Sequence, residues 1–158
     1  MTDITIYTDG AARGNPGNGG YAAVMISGKY RKEISQGFAH TTNNRMELLA
    51  VIVALESIKA QNANVTVFSD SKYVVDAVNL GWLQTWERIH FKNKKNPDLW
   101  LRFLNVYRRH RVKFIWVEGH AGNPLNELCD KLAVEASMQP NLPEDTGYIN
   151  SIENNVLM

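Results

Sequence analysis

At 158 residues, 44% hydrophobic and 21% charged, the chain has the size and composition of one globular domain, able to bury about two-thirds of its unfolded surface without staples. The single Cys129 excludes an internal disulfide, no apolar run approaches the roughly 20 residues that span a bilayer, and no apolar leader region precedes Ile4, so a cytoplasmic protein without a membrane partner is expected. The net charge of +1 conceals a bias, because nine of the 17 Lys and Arg fall between Arg88 and Lys113 with Asp98 as the only acidic residue among them. Such a run is either a solvated face or a polyanion-binding surface, and charge alone does not choose.

Taken in chain order, Ile4, Ile6 and Thr8 alternate with Thr5, Tyr7 and Asp9, which predicts a strand ending in an Asp9-Gly10 turn. Gly14 to Gly20 reads as a loop. Tyr21 to Ser27 and Arg31 to Ala39 are predicted strands separated by a Ser27-Gly28-Lys29 turn, giving an antiparallel meander of three. From about Asn44 to Ala60 the apolar spacing becomes helical, with a stripe wide enough for extensive burial. Asn64 to Phe68 is a short apolar strand, and Ser69-Asp70-Ser71 signals a helix start. That strand-to-helix order implies a crossover to a parallel neighbour. Helices are predicted over Tyr73 to Asn79, Trp82 to about Arg88 and Asp98 to Arg109, then a strand over Val112 to Val117. Asn123-Pro124 opens a last helix to about Met138. The fold class is α/β, a mixed five-stranded sheet of three antiparallel strands then two parallel ones, with helices on both faces. Residues 1–138 form the expected domain, including the basic segment 82–97, and residues 139–158, with Pro140, Pro143 and an Asn-rich end, are expected to be a poorly packed, flexible tail. No internal repeat is present.

Four acidic residues stand where such a sheet would gather them: Asp9 and Asp70 at strand ends, Glu47 opening a helix, Asp130 in the last helix. Ligands of open α/β sheets collect at the carboxyl ends of strands. Each residue also has a bland explanation. Asp9 suits its turn, Asn44-x-x-Glu47 matches a capping box, Asp70 is a ready helix cap, and Asp130 is an ordinary helical carboxylate. His120, in the Gly119 to Gly122 loop, is likewise open to a structural reading.

The surrounding segments decide for the group as a whole. Tyr7-Thr8-Asp9-Gly10-Ala11, Gly14-Asn15-Pro16-Gly17, Thr41-Thr42-Asn43-Asn44-Arg45-Met46-Glu47-Leu48, Ser69-Asp70-Ser71, Gly119-His120-Ala121-Gly122-Asn123 and Asn126-Glu127-Leu128-Cys129-Asp130 occur in this order. Together they resemble the bacterial type I ribonuclease H pattern from Asp3 to about Ala136. The resemblance implies an endonuclease acting on the RNA strand of an RNA–DNA hybrid, with Asp9, Glu47, Asp70 and Asp130 as catalytic metal ligands. Hard oxygen donors suit Mg²⁺, with Mn²⁺ as a substitute, and two such ions with substrate bound would support in-line attack of water, leaving a 5′ phosphate and a 3′ hydroxyl. It also implies a catalytic role for His120 in proton transfer or product departure. Glu118 is a weaker candidate for tuning metal binding.

For substrate, Asn15, Asn43 and Asn44 resemble contacts to the 2′ hydroxyls of RNA, which both donate and accept hydrogen bonds as an amide does. Thr42 and Asn96 resemble residues that hold a phosphate of the DNA strand, and Trp82 and Trp86 resemble aromatic contacts to DNA sugars; without the resemblance both Trp would read as core. Lys92, Lys94 and Lys95 are expected on phosphates outside the reaction centre, although their segment is shorter than in the longest-handled relatives, which implies lower affinity. Lys72 stands where some relatives carry Gln and suggests a phosphate contact. A monomer is expected. The alternatives are another nuclease or polynucleotidyl transferase on the same fold, which the Asn and Trp set argues against, and a non-catalytic hybrid-binding module, which would tolerate loss of a carboxylate. A phosphate-loop nucleotide enzyme is a weaker alternative still, because Gly14 to Gly20 lacks a following Gly-Lys-Ser/Thr.

Overall fold

The structure is a computed structural model that describes residues 2–157, with side chains to Glu153. Five strands, β1 (Asp3–Ala12), β2 (Gly17–Ser27), β3 (Tyr30–Thr41), β4 (Asn64–Ser69) and β5 (Arg111–Trp116), form one sheet in the order β3-β2-β1-β4-β5. The meander β1-β2-β3 is antiparallel, and β1, β4 and β5 run parallel. This is the expected mixed sheet. Alternation along β2 sends Tyr21, Ala23 and Met25 to one face and Ala22 and Val24 to the other. The first face packs on α1 (Asn43–Glu56), with α2 (Lys72–Asn79), α3 (Trp82–Arg88) and α4 (Pro97–Tyr107) joining the same core; the second packs on α5 (Pro124–Ser137).

Helix α1 is buried around most of its circumference, from Met46 through Leu55, because it lies between the sheet and α4. Trp100 and Phe103 of α4 are the largest fully buried side chains in that core. Among the described residues no helix is long and apolar enough to cross a membrane.

Three differences from the expected elements matter for the site. Strand β1 does not turn at Asp9-Gly10 but continues to Ala12, because β2 keeps pairing with it as far as Gly19 opposite Ala12. Half of the expected Gly14 to Gly20 loop is thereby the start of β2. Gly10 answers to a close approach: a Cβ there would sit 2.3 Å from the Glu47 backbone nitrogen, so a side chain would push α1 off the sheet. The third difference is the segment after Met138. It carries a sixth helix, α6 (Thr146–Leu157), and it is bonded to the domain, with Ala39 N–H donating to Pro143 O and Asp145 N–H to Ala39 O. The sequence reading of a poorly packed tail is corrected by these bonds to β3.

Candidate active site

The carboxylates meet where the sheet divides. Thr8 and Ser69 are the last parallel partners of β1 and β4, so Asp9 and Asp70 are the next residues off one rung. There β1 goes on with β2 alone, leaving the crevice in which α/β sheets bind ligands. Gly10 lets the first turn of α1 press onto β1 and carries Glu47 to the same place, and α5 brings Asp130 from the opposite face.

The structure removes three of the bland explanations. Asp9 serves no turn. The cap of α1 is Thr42, whose hydroxyl oxygen accepts the Arg45 N–H, so Asn44 and Glu47 form no capping box. The cap of α2 is Ser71, whose hydroxyl accepts the Val74 N–H, which leaves the Asp70 side chain to accept a hydrogen bond from the buried Asn126 at 3.4 Å. Asn126 was not anticipated.

Electrostatics shows that these groups crowd one another. Asp9 is only 7% exposed; burial first, then Asp70, and less so Asp130 and Glu47, push its carboxyl up to about 8, against the opposing hydrogen bond from Gly10 N–H. Burial and Asp70 push Glu47 up to about 7, with the Ser71 hydroxyl opposing. The nearby Cys129 thiol is pushed up to about 12 by burial and by Asp9, which makes it an inert core group. Among the described residues, no three His, Cys, Asp or Glu side chains stand together in a way that could hold a metal ion by themselves.

A measurable consequence follows from the sign of the shifts. Both carboxyl groups hold their protons more tightly in the fold than in the unfolded chain, so their contribution is complete below about pH 4 and is lost as pH rises through about 7 to 8. With chelator present, the melting temperature should fall over that window. Asp9→Asn, which keeps an oxygen for Gly10 N–H, should melt several degrees higher than the parent at about pH 8 and lose part of the slope. An unchanged or lower value would mean the four groups are not packed together.

His120 is exposed, with φ 57°, in the loop between β5 and α5. That loop is pinned close to the carboxylates: Gly119 packs against Asp70, and the Trp116 indole N–H donates to Asp70 O at 3.2 Å. Glu118 is exposed on the same loop. Asn123 caps α5 by accepting N–H bonds from Leu125 and Asn126.

Most of the expected substrate residues gather around one groove of about 610 Å³. Asn15, Thr42, Asn44, Lys94, Lys95 and Asn96 line it. Asn43 lies beside it, its backbone N–H donating to Asn15 Oδ1 and its own Oδ1 accepting the Ala12 N–H, so the two loops are fastened together. The Trp82 and Trp86 rings lie tilted with centroids 6.4 Å apart, Trp82 45% exposed and Trp86 edge-on against Trp100 with Lys94 over its face. Lys72 lies over the Trp116 ring at 5.0 Å, on the Asp70 side. Lys92 is exposed and does not line the groove.

The basic run does not form one face. Arg102 pairs with Glu56 and Arg108 with Glu87, while Arg111 and Lys113 face a separate groove beside β4. Only its Lys94 and Lys95 border the groove described above.

The residue that organises the groove was not singled out from the sequence. Arg45, 2% exposed, donates from Nε and Nη2 to Asp145 at 2.7 and 3.0 Å, from Nη1 and Nη2 to Asp98 at 2.9 and 2.8 Å, and from Nη1 to Asn96 Oδ1 at 3.2 Å. Asn96 in turn donates to the Tyr73 hydroxyl at 3.1 Å. One guanidinium thus joins the starts of α1, α4 and α6, using the planar fork that Lys lacks. The signal was a lone charge among the buried positions of α1.

The family model described as RNase H matches residues 1–138. A ribonuclease H of Desulforamulus reducens is 55% identical over 150 residues, covering 92% of this chain and 94% of that protein. One of Trichodesmium erythraeum is 54% identical over 152 residues, covering 93% and 96%. Among solved structures, LC9-RNase H1, described as a type 1 RNase H with the type 2 active-site motif, superposes with a TM-score of 0.80 at 30% identity, covering 87% of this chain and 72% of that one. LC11-RNase H1, solved with an RNA/DNA hybrid, superposes with a TM-score of 0.63 at 29% identity, covering 84% and 95%. A family model over most of the chain and relatives at more than half identity agree, and the chain belongs to the ribonuclease H family.

Proposed function

We propose that the chain hydrolyses the RNA strand of RNA–DNA hybrids endonucleolytically, as a monomeric cytoplasmic enzyme, with Asp9, Glu47, Asp70 and Asp130 holding Mg²⁺ ions, for which Mn²⁺ can substitute. The observation that carries this reading is a crowded carboxylate cluster, Asp9 buried and the other three half-buried, that no Lys or Arg among the described residues pairs with, in a chain that also has a groove lined by amides, hydroxyls and two lysines. Arg45, the nearest buried cation on α1, is spent on Asp98 and Asp145. When bound, the ions would supply an activated water and charge stabilisation at the leaving 3′ oxygen, so that the products carry 5′ phosphate and 3′ hydroxyl. The groove residues supply orientation. Asn15, Asn43 and Asn44 would read 2′ hydroxyls, and the fastening of Asn15 to Asn43 fixes their spacing. Thr42 keeps its hydroxyl proton for a DNA-strand phosphate while its oxygen serves as cap, and Asn96 keeps one amide hydrogen free after bonding Tyr73. Lys72, Lys92, Lys94 and Lys95 would add phosphate contacts, and Trp82 and Trp86 a face for DNA sugars.

The reading is tested with a DNA duplex that carries RNA only in a short central patch of one strand. Cutting should be confined to that patch, and comparable cutting of the flanking DNA would refute recognition of the 2′ hydroxyl. His120, exposed on its loop, would move protons or help product leave. His120→Ala is expected to lower kcat by about 10- to 100-fold with little change in KM; a raised KM alone would make it a substrate contact.

A further inference from the structure

The groove has a wall that the family match does not cover. Residues 1–138 carry that match, yet Tyr148, Ser151 and Ile152 of α6 line the groove together with Thr42, Lys94, Lys95 and Asn96. The helix is held there by specific chemistry. Asp145 is 8% exposed, takes both Arg45 bonds and the Thr41 hydroxyl at 2.7 Å, and its Oδ1 accepts the Tyr148 N–H at 3.3 Å. Gly147 lies so close that a Cβ would stand 2.3 Å from Asp98 Oδ2 and 2.5 Å from Arg45 Nη2. The first turn of α6 therefore rests on the same Arg45 that positions Asn96.

The two hydroxyls on this wall differ in what they have left to offer. Ser151 already donates its proton to Tyr148 O at 2.6 Å, and an anionic oxygen requires a donor. The half-buried Tyr148 phenol has no hydrogen-bond partner among the described residues. Its O–H is the uncommitted donor of α6 in a groove that two lysines also line. On the proposed reading of the groove as a hybrid site, we infer that Tyr148 is a substrate-positioning residue, donating its phenol O–H to a phosphate of the DNA strand in the groove it shares with Thr42 and Asn96.

The test compares Tyr148→Phe with the parent, using all-phosphate hybrids and hybrids with one neutral methylphosphonate moved stepwise along the DNA strand. Tyr148→Phe should keep the parent's melting temperature and kcat and raise KM about ten- to a hundredfold, the size of one hydrogen bond to a charged group. At one methylphosphonate position the parent's KM should rise towards that of the variant, while the variant's own KM changes little, since the paired losses do not add. A parent KM in the variant, or a variant penalty that is the same at every methylphosphonate position, would overturn the role of Tyr148. Tyr148→Ala checks the ring: a KM no higher than that of Tyr148→Phe assigns the effect to the hydroxyl, and a normal KM in both variants rejects it. A parent chain that leaves the RNA strand of the all-phosphate hybrid intact would instead defeat the functional reading on which the inference rests, and the two failures are distinct.

Discussion

Asp9→Asn should lower kcat for hybrid hydrolysis by about 10³-fold or more, the equivalent of several kcal/mol of lost transition-state stabilisation, while hybrid affinity stays within about threefold. The argument is positional. Asp9 stands at the point where β1 parts from β4, next to Asp70 and within the field of Glu47 and Asp130, and it lines no part of the groove of amides and lysines. On the proposed function, chemistry and binding would thus fall to different side chains. Asparagine keeps the shape and the bond to Gly10 N–H but removes the negative charge a cation needs. The comparison requires kcat under saturating hybrid and Kd by a method that needs no turnover. Turnover near the parent's under Mg²⁺ would remove Asp9 from the reaction, and a large loss of affinity would mean that it touches the hybrid directly.

Arg45→Ala should have the largest effect on stability, about 3–5 kcal/mol, because it leaves the buried Asp145 with no cation and releases three elements at once. For a chain of this length that corresponds to a fall in melting temperature on the order of 10 °C. Arg45→Lys should rescue only part of it, since one ammonium cannot hold two carboxylates and the Asn96 amide in a plane. The acid side gives an independent sign. Burial alone would raise the Asp98 carboxyl, but its bonds to Arg45 outweigh that and hold it below its ordinary 3.8. The pair therefore contributes above the ordinary carboxylate range and is lost as pH falls through the lowered value. Acid unfolding of the parent should steepen below about pH 4, and Arg45→Ala should lack that component. Because Asn96 loses its anchor, KM should rise as well; a variant as stable as the parent would show that the guanidinium merely fills space.

How much of this was legible in the sequence depends on the range over which each feature is determined. The carboxylates were readable because each lies in a local segment with a recognisable surround, and the alternation of β1 and β2 was readable because a pleated strand repeats every two residues. The Asp9-Gly10 turn was misread for an instructive reason. Asp-Gly is a turn signal locally, but here the missing Cβ serves the approach of the Glu47 backbone, a tertiary demand with no local signature. Arg45 escaped notice because its partners are 53 and 100 residues away. The docking of α6 escaped for the same reason: two prolines and an Asn-rich end carry little apolar pattern, and the segment is held by a buried ion pair to Arg45, the Thr41 hydroxyl and two backbone bonds to β3. The division of the basic run between acidic partners and two grooves is equally a matter of packing.

The central claim is that a carboxylate cluster acts with a divalent cation on RNA paired to DNA. It is tested most directly by incubating the chain with end-labelled RNA–DNA, RNA–RNA and DNA–DNA duplexes, each with Mg²⁺ and with chelator, and identifying the new ends. The account predicts cleavage of the RNA strand of the hybrid alone, only with Mg²⁺, leaving 5′ phosphates and 3′ hydroxyls. Cleavage that persists in chelator, comparable cleavage of either homoduplex, or an intact hybrid under Mg²⁺ would contradict it.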